Sequence, residues 1–373
     1  MKKILLVLIF ALSATLGFAQ AKYVFFFIGD GMGFGAVSLT EDYLAAKEGK
    51  HGSKNLTFSD FPVTGFATTY SANNLVTCSS AAGTALACGS KTSNGVVGMD
   101  SAAQKNYKSI AYRFKENGYK IGITTSVSLD HATPAAFYAH QPDRNMYYEI
   151  AQELPKNSFD FFAGAGFLKP KVAGKENLFD NFKANNYVLS RSIDECKKST
   201  SSKNILIQAE GKNPESLPYA INKQKGDYRL SQITDLAIER LMNDKGFFLM
   251  VEGGMIDWAS HDNNATAMVG EVIEFSNAVK VALDFYKKYP TETLIIVTAD
   301  HETGGLGVGK SEKSAPATQV ENFAKNYGSY STTGHTGTMV PVYAIGAGSE
   351  QLGGKMDNTD IPKKIAKAAK INF

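Results

Sequence analysis

The chain has 373 residues, 43% of them apolar and 20% charged, a composition that can bury a large core without cross-links and excludes disordered or collagen-like chains. Its formal charge of +3 falls to +1 once Lys2 and Lys3 are set aside with the leader described below, and so gives no support for nucleic acid or an acidic membrane surface as the main partner. Cys78, Cys88 and Cys196 are too few for a disulfide framework. Cys78 and Cys88 fall ~15 Å apart on one predicted helix, too far to bridge, and all three are read as packing residues.

Residues 1–21, MKKILLVLIFALSATLGFAQA, combine a basic start, a short apolar run and small residues at Gly17, Ala19 and Ala21, the pattern of a secretory signal peptide. Cleavage is expected after Ala19, with Ala21 the second choice. No cysteine follows to carry a lipid anchor, and the run is short for ~30 Å of hydrocarbon. A periplasmic or secreted protein with no membrane partner after cleavage is expected, with 20–373 as a single domain.

Strand-like apolar runs are predicted at Tyr23–Ile28, Lys120–Thr125, Phe159–Phe162, Asn204–Ile207, Gly246–Val251 and Thr293–Val297, several of them continuous enough for parallel strands buried on both faces. Helix-like stretches lie between them at about Ser79–Cys88, Ser109–Asn117, Ser231–Asn243 and Ala267–Lys288. The alternation predicts a three-layer α/β/α sandwich around a central, mostly parallel sheet. The Lys-, Asn- and Ser-rich stretch from about 169 to 225 is read as a peripheral insertion.

Parallel α/β sheets collect functional groups at the carboxyl ends of their strands, and the reactive residues here cluster at such ends. The first strand runs into Gly29-Asp30-Gly31-Met32-Gly33, where glycines let the backbone turn and present Asp30. The relaxed dinucleotide pattern Gly31-x-Gly33-x-x-Ala36 competes weakly, since Asp30 would oppose a pyrophosphate and no acidic residue ends a second strand about 20 residues on. The Gly246–Val251 strand ends in Glu252 and leads to Asp257 and His261, which four residues apart on a helical turn share one face. Thr293–Val297 leads directly into Asp300-His301, and His335 stands between glycines in Gly334-His335-Thr336-Gly337. Three of the six histidines thus fall in carboxylate-rich or glycine-flanked segments. Nitrogen and oxygen donors of this kind suit zinc. Four carboxylates and three histidines exceed one tetrahedral ion and imply a metal pair, the arrangement that clamps attacking and leaving oxygens of a phosphoryl group ~4 Å apart.

The segment Val76-Thr77-Cys78-Ser79-Ser80-Ala81-Ala82-Gly83-Thr84 offers nucleophiles at the start of a small-residue helix, whose N-terminus favours an anion. A cysteine-phosphatase thiolate at Cys78 would need Arg where Thr84 stands, and a serine-hydrolase elbow would need Gly where Thr77 stands. Ser79 activated by a metal is the best reading.

With these segments assembled in order, the chain resembles the alkaline phosphatase family, over roughly 22–165 and 230–350 with the stretch between unmatched. The resemblance implies an alkaline phosphatase-like fold and a phosphate monoesterase releasing inorganic phosphate from varied small-molecule esters. It implies Ser79 as the phosphoryl-accepting nucleophile, with two zinc ions and one magnesium. Asp257, His261 and His335 would hold the first zinc, and Asp30, Asp300 and His301 the second. Asp30, Thr133 and Glu252 would hold the third ion, with His131 in its outer shell. Arg144, eleven residues after Thr133, matches the phosphate-binding arginine, whose guanidinium can bind two oxygens at once. A homodimer is also implied. Departures are Cys78 where the family usually has Asp, His131 where Asp or His occurs, which leaves zinc open at the third site, and Trp258 beside Asp257, where other members carry Lys or His near bound phosphate. The His131 and Trp258 pairing is similar to that of compact bacterial members. A diesterase or sulfatase on the same fold is weighed down by Arg144 and the third-ion residues. A non-catalytic binding protein should have lost a ligand or the nucleophile, and none is missing.

Overall fold

Three consecutive aromatics on the first strand set the layers. In the computed structural model, which describes residues 20–309 and 318–373, Tyr23–Gly29 forms strand β1, buried at every position. Side chains alternate across a strand, and accordingly Phe25 and Phe27 pack edge-on against Phe285 and Phe275 of the Ala265–Tyr286 helix. Phe26 meets Phe137 from the opposite face. Helices therefore cover both faces, as the apolar runs predict, and the fold is a three-layer α/β/α sandwich of the expected class.

The remaining strands in chain order are β2 (Val63–Thr68), β3 (Lys120–Thr125), β4 (Phe161–Ala163), β5 (Val188–Ser190), β6 (Asn204–Leu206), β7 (Phe247–Gly253), β8 (Thr293–Thr298), β9 (Glu302–Thr303), β10 (Gly307–Val308), β11 (Gly328–Ser329), β12 (His335–Thr336), β13 (Val340–Gly346) and β14 (Gly354–Asp357). Ten form one sheet in the order β14-β2-β13-β8-β1-β7-β3-β4-β6-β5, parallel except for β13, which runs antiparallel to both β2 and β8. The signal-peptide segment 1–19 lies outside the described residues. None of the described helices is long and apolar enough to cross a membrane.

In the main sheet, strands β2, β5, β13 and β14 are additions to the sequence expectation, as are the two-residue strands β9, β10, β11 and β12 outside it. The stretch 169–225, read as a peripheral insertion, supplies β5 and β6 at one edge of the main sheet, so it extends the sandwich. Cys88 and Cys196 are buried and Cys78 is partly buried, all three as free thiols.

Register is what positions the site. Ile28 lies level with Glu252 on β7 and Thr298 on β8, and Glu252 is level with Thr125 on β3. Four neighbouring strands thus release their chains at one height, and the residues that follow converge there.

Candidate metal and phosphoryl-transfer site

Asp30 leaves β1 through a turn that only glycine fits at the next position. Gly31 has φ +71°, and a Cβ there would stand 2.7 Å from Thr303 Oγ1 and 2.9 Å from Asp257 Cα. The close approach lets Gly31 N–H donate to Asp300 Oδ1 at 3.1 Å, and His301 N–H donates to the same oxygen at 2.9 Å. Asp300 Oδ2 is left free, 3.3 Å from His301 Nε2. Asp30 Oδ1 lies 3.4 Å from the same nitrogen, and Ser79 Oγ lies 3.2 Å from it. Asp30, Asp300 and His301 are wholly buried and Ser79 nearly so.

A second cluster adjoins this one. Asp257 is on the Met255–His261 helix, and its Oδ1 lies 3.3 Å from His261 Nε2 and 3.5 Å from His335 Nε2. His335 is carried in by β12, which pairs with β9 directly after the Asp300-His301 turn. Each imidazole is anchored from behind: His261 Nδ1–H donates to the Thr333 carbonyl and His335 Nδ1–H to the Thr77 carbonyl at 2.9 Å. Such contacts orient both rings and turn their Nε2 atoms into the site. The two Nε2 atoms are 3.1 Å apart and both lie beside Asp257 Oδ1, so the three groups can share one cation.

The third cluster surrounds Glu252. Thr125 Oγ1 donates to Glu252 Oε2, leaving Oε1 3.7 Å from His131 Nδ1. Thr133 Oγ1 donates to Asp30 Oδ2 at 3.4 Å. His131, expected behind the ligands, offers a ring nitrogen within 4.8 Å of ligand atoms of Asp30 and Glu252. Arg144 Nη2 lies 3.3 Å from His131 Nε2. Because a guanidinium only donates, that contact makes Nε2 the acceptor and puts the ring proton on Nδ1, toward Glu252. Trp258 packs edge-on against His131, ring centroids 6.0 Å apart.

The charge balance shows what the donors lack. Burial, then the carboxylates of Asp300, Asp257 and Glu252, push Asp30 well above its ordinary pKa. Burial, with the Asp257 and Glu252 charges, raises Asp300 to about 8. Burial holds His301 neutral far below its usual value, and lowers His335. Asp257 goes the other way: burial favours its protonation, but the His261 hydrogen bond and three imidazoles hold it well down. That same bond lifts His261 to about 9. Asp30 Oδ1, Asp300 Oδ2, His131 Nδ1 and Glu252 Oε1 are buried with no hydrogen-bond partner. The three carboxylate oxygens among them are orphaned buried acceptors, which are costly and which divalent cations satisfy, whereas His131 Nδ1, protonated as above, is an orphaned donor facing Glu252. The three clusters form three ligand groups: Asp257, His301 and His335; Asp30, Asp300 and His301; and Asp30, His131 and Glu252. His261 stands beside the first.

Residues that sequence reasoning passed over complete the frame. Thr303 Oγ1 donates to Asp257 Oδ1 and meets His301 Nδ1 at 3.2 Å, and Glu302 accepts from Thr336, tying β9 to β12. Thr303 sits two residues after His301 in the sequence, the one signal that could have found it.

Buried Asp/His clusters at the strand tips of a three-layer α/β/α sandwich, gathered around a serine at a helix start, are ligand groups that could hold metal ions beside a nucleophile, an arrangement suited to a hydrolase. The family model described as alkaline phosphatase matches residues 21–164 and 171–328, so it runs through most of the stretch that the motifs left unmatched. Alkaline phosphatase 3 of Bacillus subtilis is 32% identical over an alignment of 427 residues, covering 95% of this chain and 90% of that protein. The structure of alkaline phosphatase from the Antarctic bacterium TAB5 superposes with a TM-score of 0.83 at 34% identity, covering 95% of this chain and all of that one. A histidine-to-glutamate variant of the TAB5 enzyme, with magnesium bound in its M3 site, gives 0.82 at 33% identity over 95% of this chain and all of that one. The chain belongs to the alkaline phosphatase family and is a phosphomonoester hydrolase.

Proposed function

We propose that this protein is an exported phosphate monoesterase working through a phosphoserine at Ser79. The observation that carries the reading is the position of Ser79 Oγ, 3.2 Å from His301 Nε2, the nitrogen of the residue shared by two of the three ligand groups. Asp257, His261 and His335 would hold one zinc, Asp30, Asp300 and His301 a second, and Asp30, Thr133 and Glu252 a third ion, magnesium or zinc, beside His131. When bound, these ions supply Lewis acidity and neutralise charge on the reacting oxygens.

The chain's own residues do the rest. Ser79 opens the Ser79–Cys88 helix, so the positive end of the helix dipole faces the phosphoryl group. Arg144 donates to two non-bridging oxygens and orients phosphorus for attack. The Ser79 hydroxyl gives up its proton and Oγ bonds to phosphorus as the ester oxygen leaves and takes up a proton; water then attacks the phosphoseryl phosphorus, the Oγ–P bond breaks with a proton returned to Oγ, and inorganic phosphate departs. Trp258, against His131, walls the substrate side.

Export rests on the leader pattern. The described start of the chain favours Ala19 over Ala21 as the cleavage point: Ala21 N–H donates to the Ala368 carbonyl at 2.9 Å, and Gln20 Nε2 donates to the Ala369 carbonyl at 2.8 Å. Cutting after Ala21 would discard both bonds. A homodimer is proposed on the family resemblance alone.

The test is trapping of the phosphoenzyme by acid quench and peptide mass spectrometry. Ser79→Ala should abolish it, while Ser80→Ala and Cys78→Ala should leave it on Ser79. Phosphate found at Ser80 would overturn the assignment.

A further inference from the structure

Arg144 must hold a fixed place relative to Ser79 if its guanidinium is to meet the phosphoryl group that Ser79 attacks. The two residues lie on different segments, and the hydrogen bonds between those segments pass through Asn94 and Gly95. The Asn94 side chain is bonded at both ends to the approach to the nucleophile: its Oδ1 accepts from Cys78 N–H at 3.1 Å and its Nδ2 donates to the Val76 carbonyl at 3.0 Å. Gly95 N–H donates to Cys78 Sγ at 3.2 Å. On its other side the Gly95 carbonyl accepts from Arg144 N–H at 2.8 Å. Two residues on, Val97 and Gln141 exchange both backbone hydrogen bonds, at 2.9 and 3.0 Å, fixing the chain that leads into Arg144.

The chemistry of these contacts is directional. The Asn94 amide presents one acceptor and one donor, and this segment offers one donor and one acceptor at the matching places, so it reads the backbone immediately before Ser79 as a strand neighbour would. Gly95 has φ +93°, a left-handed conformation open to glycine and strained for other residues, and it lets one peptide plane donate toward Cys78 while the carbonyl on its far side faces Arg144. Burial alone would push the Cys78 thiol up. Its hydrogen bonds with Ser80 and with the Ala81 and Gly95 N–H groups, and the Arg144 charge, instead leave it below its ordinary value, as expected of a sulfur serving as acceptor.

We propose that Asn94 and Gly95 are positioning residues that lock the phosphate-binding Arg144 in register with the nucleophile Ser79, through Cys78 on one side and the Arg144 backbone on the other. The proposal rests on the roles given above to Ser79 and Arg144. Asn94 touches no reacting atom and acts through the arginine, so its contribution should vanish when the arginine is gone.

A double-mutant cycle on the zinc- and magnesium-loaded enzyme tests this, reading kcat/KM for p-nitrophenyl phosphate and inhibition by inorganic phosphate. Asn94→Ala should lower kcat/KM and weaken phosphate inhibition by about tenfold, on the order of a weakened charge-assisted contact, with a phosphoserine still trapped at Ser79. In the Arg144→Ala background the same change should cost less than about twofold, the spread within which uncoupled effects add. Equal losses in both backgrounds would overturn the proposal, since they would place Asn94 in support of the nucleophile segment alone. If Arg144→Ala itself costs nothing, the role given to Arg144 fails first, and the two failures are told apart by that single variant. Should Asn94→Ala not fold, Gly95→Ala serves instead: a methyl there meets nothing within 4 Å, so its effect comes from backbone strain between Cys78 and Arg144. It should show the same dependence on Arg144, and a loss independent of Arg144 would again overturn the proposal.

Discussion

Arg144 sits beside His131 rather than in open solvent, where a guanidinium can meet a phosphoryl group approaching Ser79. A monoester offers it more charged non-bridging oxygen than a diester does. Arg144→Ala should therefore lower kcat/KM for p-nitrophenyl phosphate by about 1.5–3 kcal/mol of lost charge-assisted bonding, one to two powers of ten, and lower diester turnover much less. Steady-state rates on the two esters check this, and an equal loss on both would assign the residue to site integrity. At this scale the sequence was most legible for side chains at strand ends, because Asp30, Glu252, Asp300 and His301 all lie within three residues of the last residue of their strands and need only register to meet. Thr125, Thr303 and Asn94 were not legible. A threonine that donates to Glu252 or Asp257, or an amide that reads Cys78 and Val76, has no local pattern, since its partner is a product of the tertiary fold.

Among the elements, the continuous apolar strands β1, β3, β7 and β8 appeared in the sequence because burial on both faces forces such runs. Strand β13 did not, since Pro341 breaks its pattern, yet the proline is accommodated and its carbonyl accepts from Thr298 Oγ1 at 2.8 Å. Strands β2 and β14 lie at the other end of the sheet, where half-exposed faces and Gly65 dilute the apolar signal. The 169–225 stretch carries three-residue strands too short for periodicity.

That stretch is also tied down by buried charge on the Ala265–Tyr286 helix. Glu274 pairs with Lys223 at 3.2 Å and, just beyond the stretch, with Arg229 at 3.4 Å, and Glu271 Oε1 accepts from Ala220 N–H at 2.6 Å. Burial raises Glu271 to about 7 from 4.5, with Glu274 adding to the shift and the Ala220 bond and Lys223 opposing it. A carboxyl with a raised folded pKa contributes its full stability below the unfolded value and loses it as pH rises through the folded one. Stability from this group should thus fall between about pH 4.5 and 7. Glu271→Gln keeps an acceptor for Ala220 and removes the charge, so thermal melts should show it more stabilising at pH 9 than at pH 5, by about 1–3 kcal/mol. An equal effect at both values would contradict this.

For the molecule as a whole, the sandwich brings buried acceptors to one sheet edge and leaves Asp30 Oδ1, Asp300 Oδ2 and Glu252 Oε1 without partners. Folding around so many uncompensated donors makes sense if ions bound only by the native state return the cost by mass action. The most direct measurement is hydrolysis of p-nitrophenyl phosphate against bis-p-nitrophenyl phosphate before chelation, after it, and after zinc and magnesium are restored, with metal content followed by elemental analysis. The expected result is a monoester preference that disappears on chelation, together with a lower melting temperature, and returns with the two metals. Full monoesterase activity in protein shown to be metal-free, or a faster reaction with the diester throughout, would contradict it.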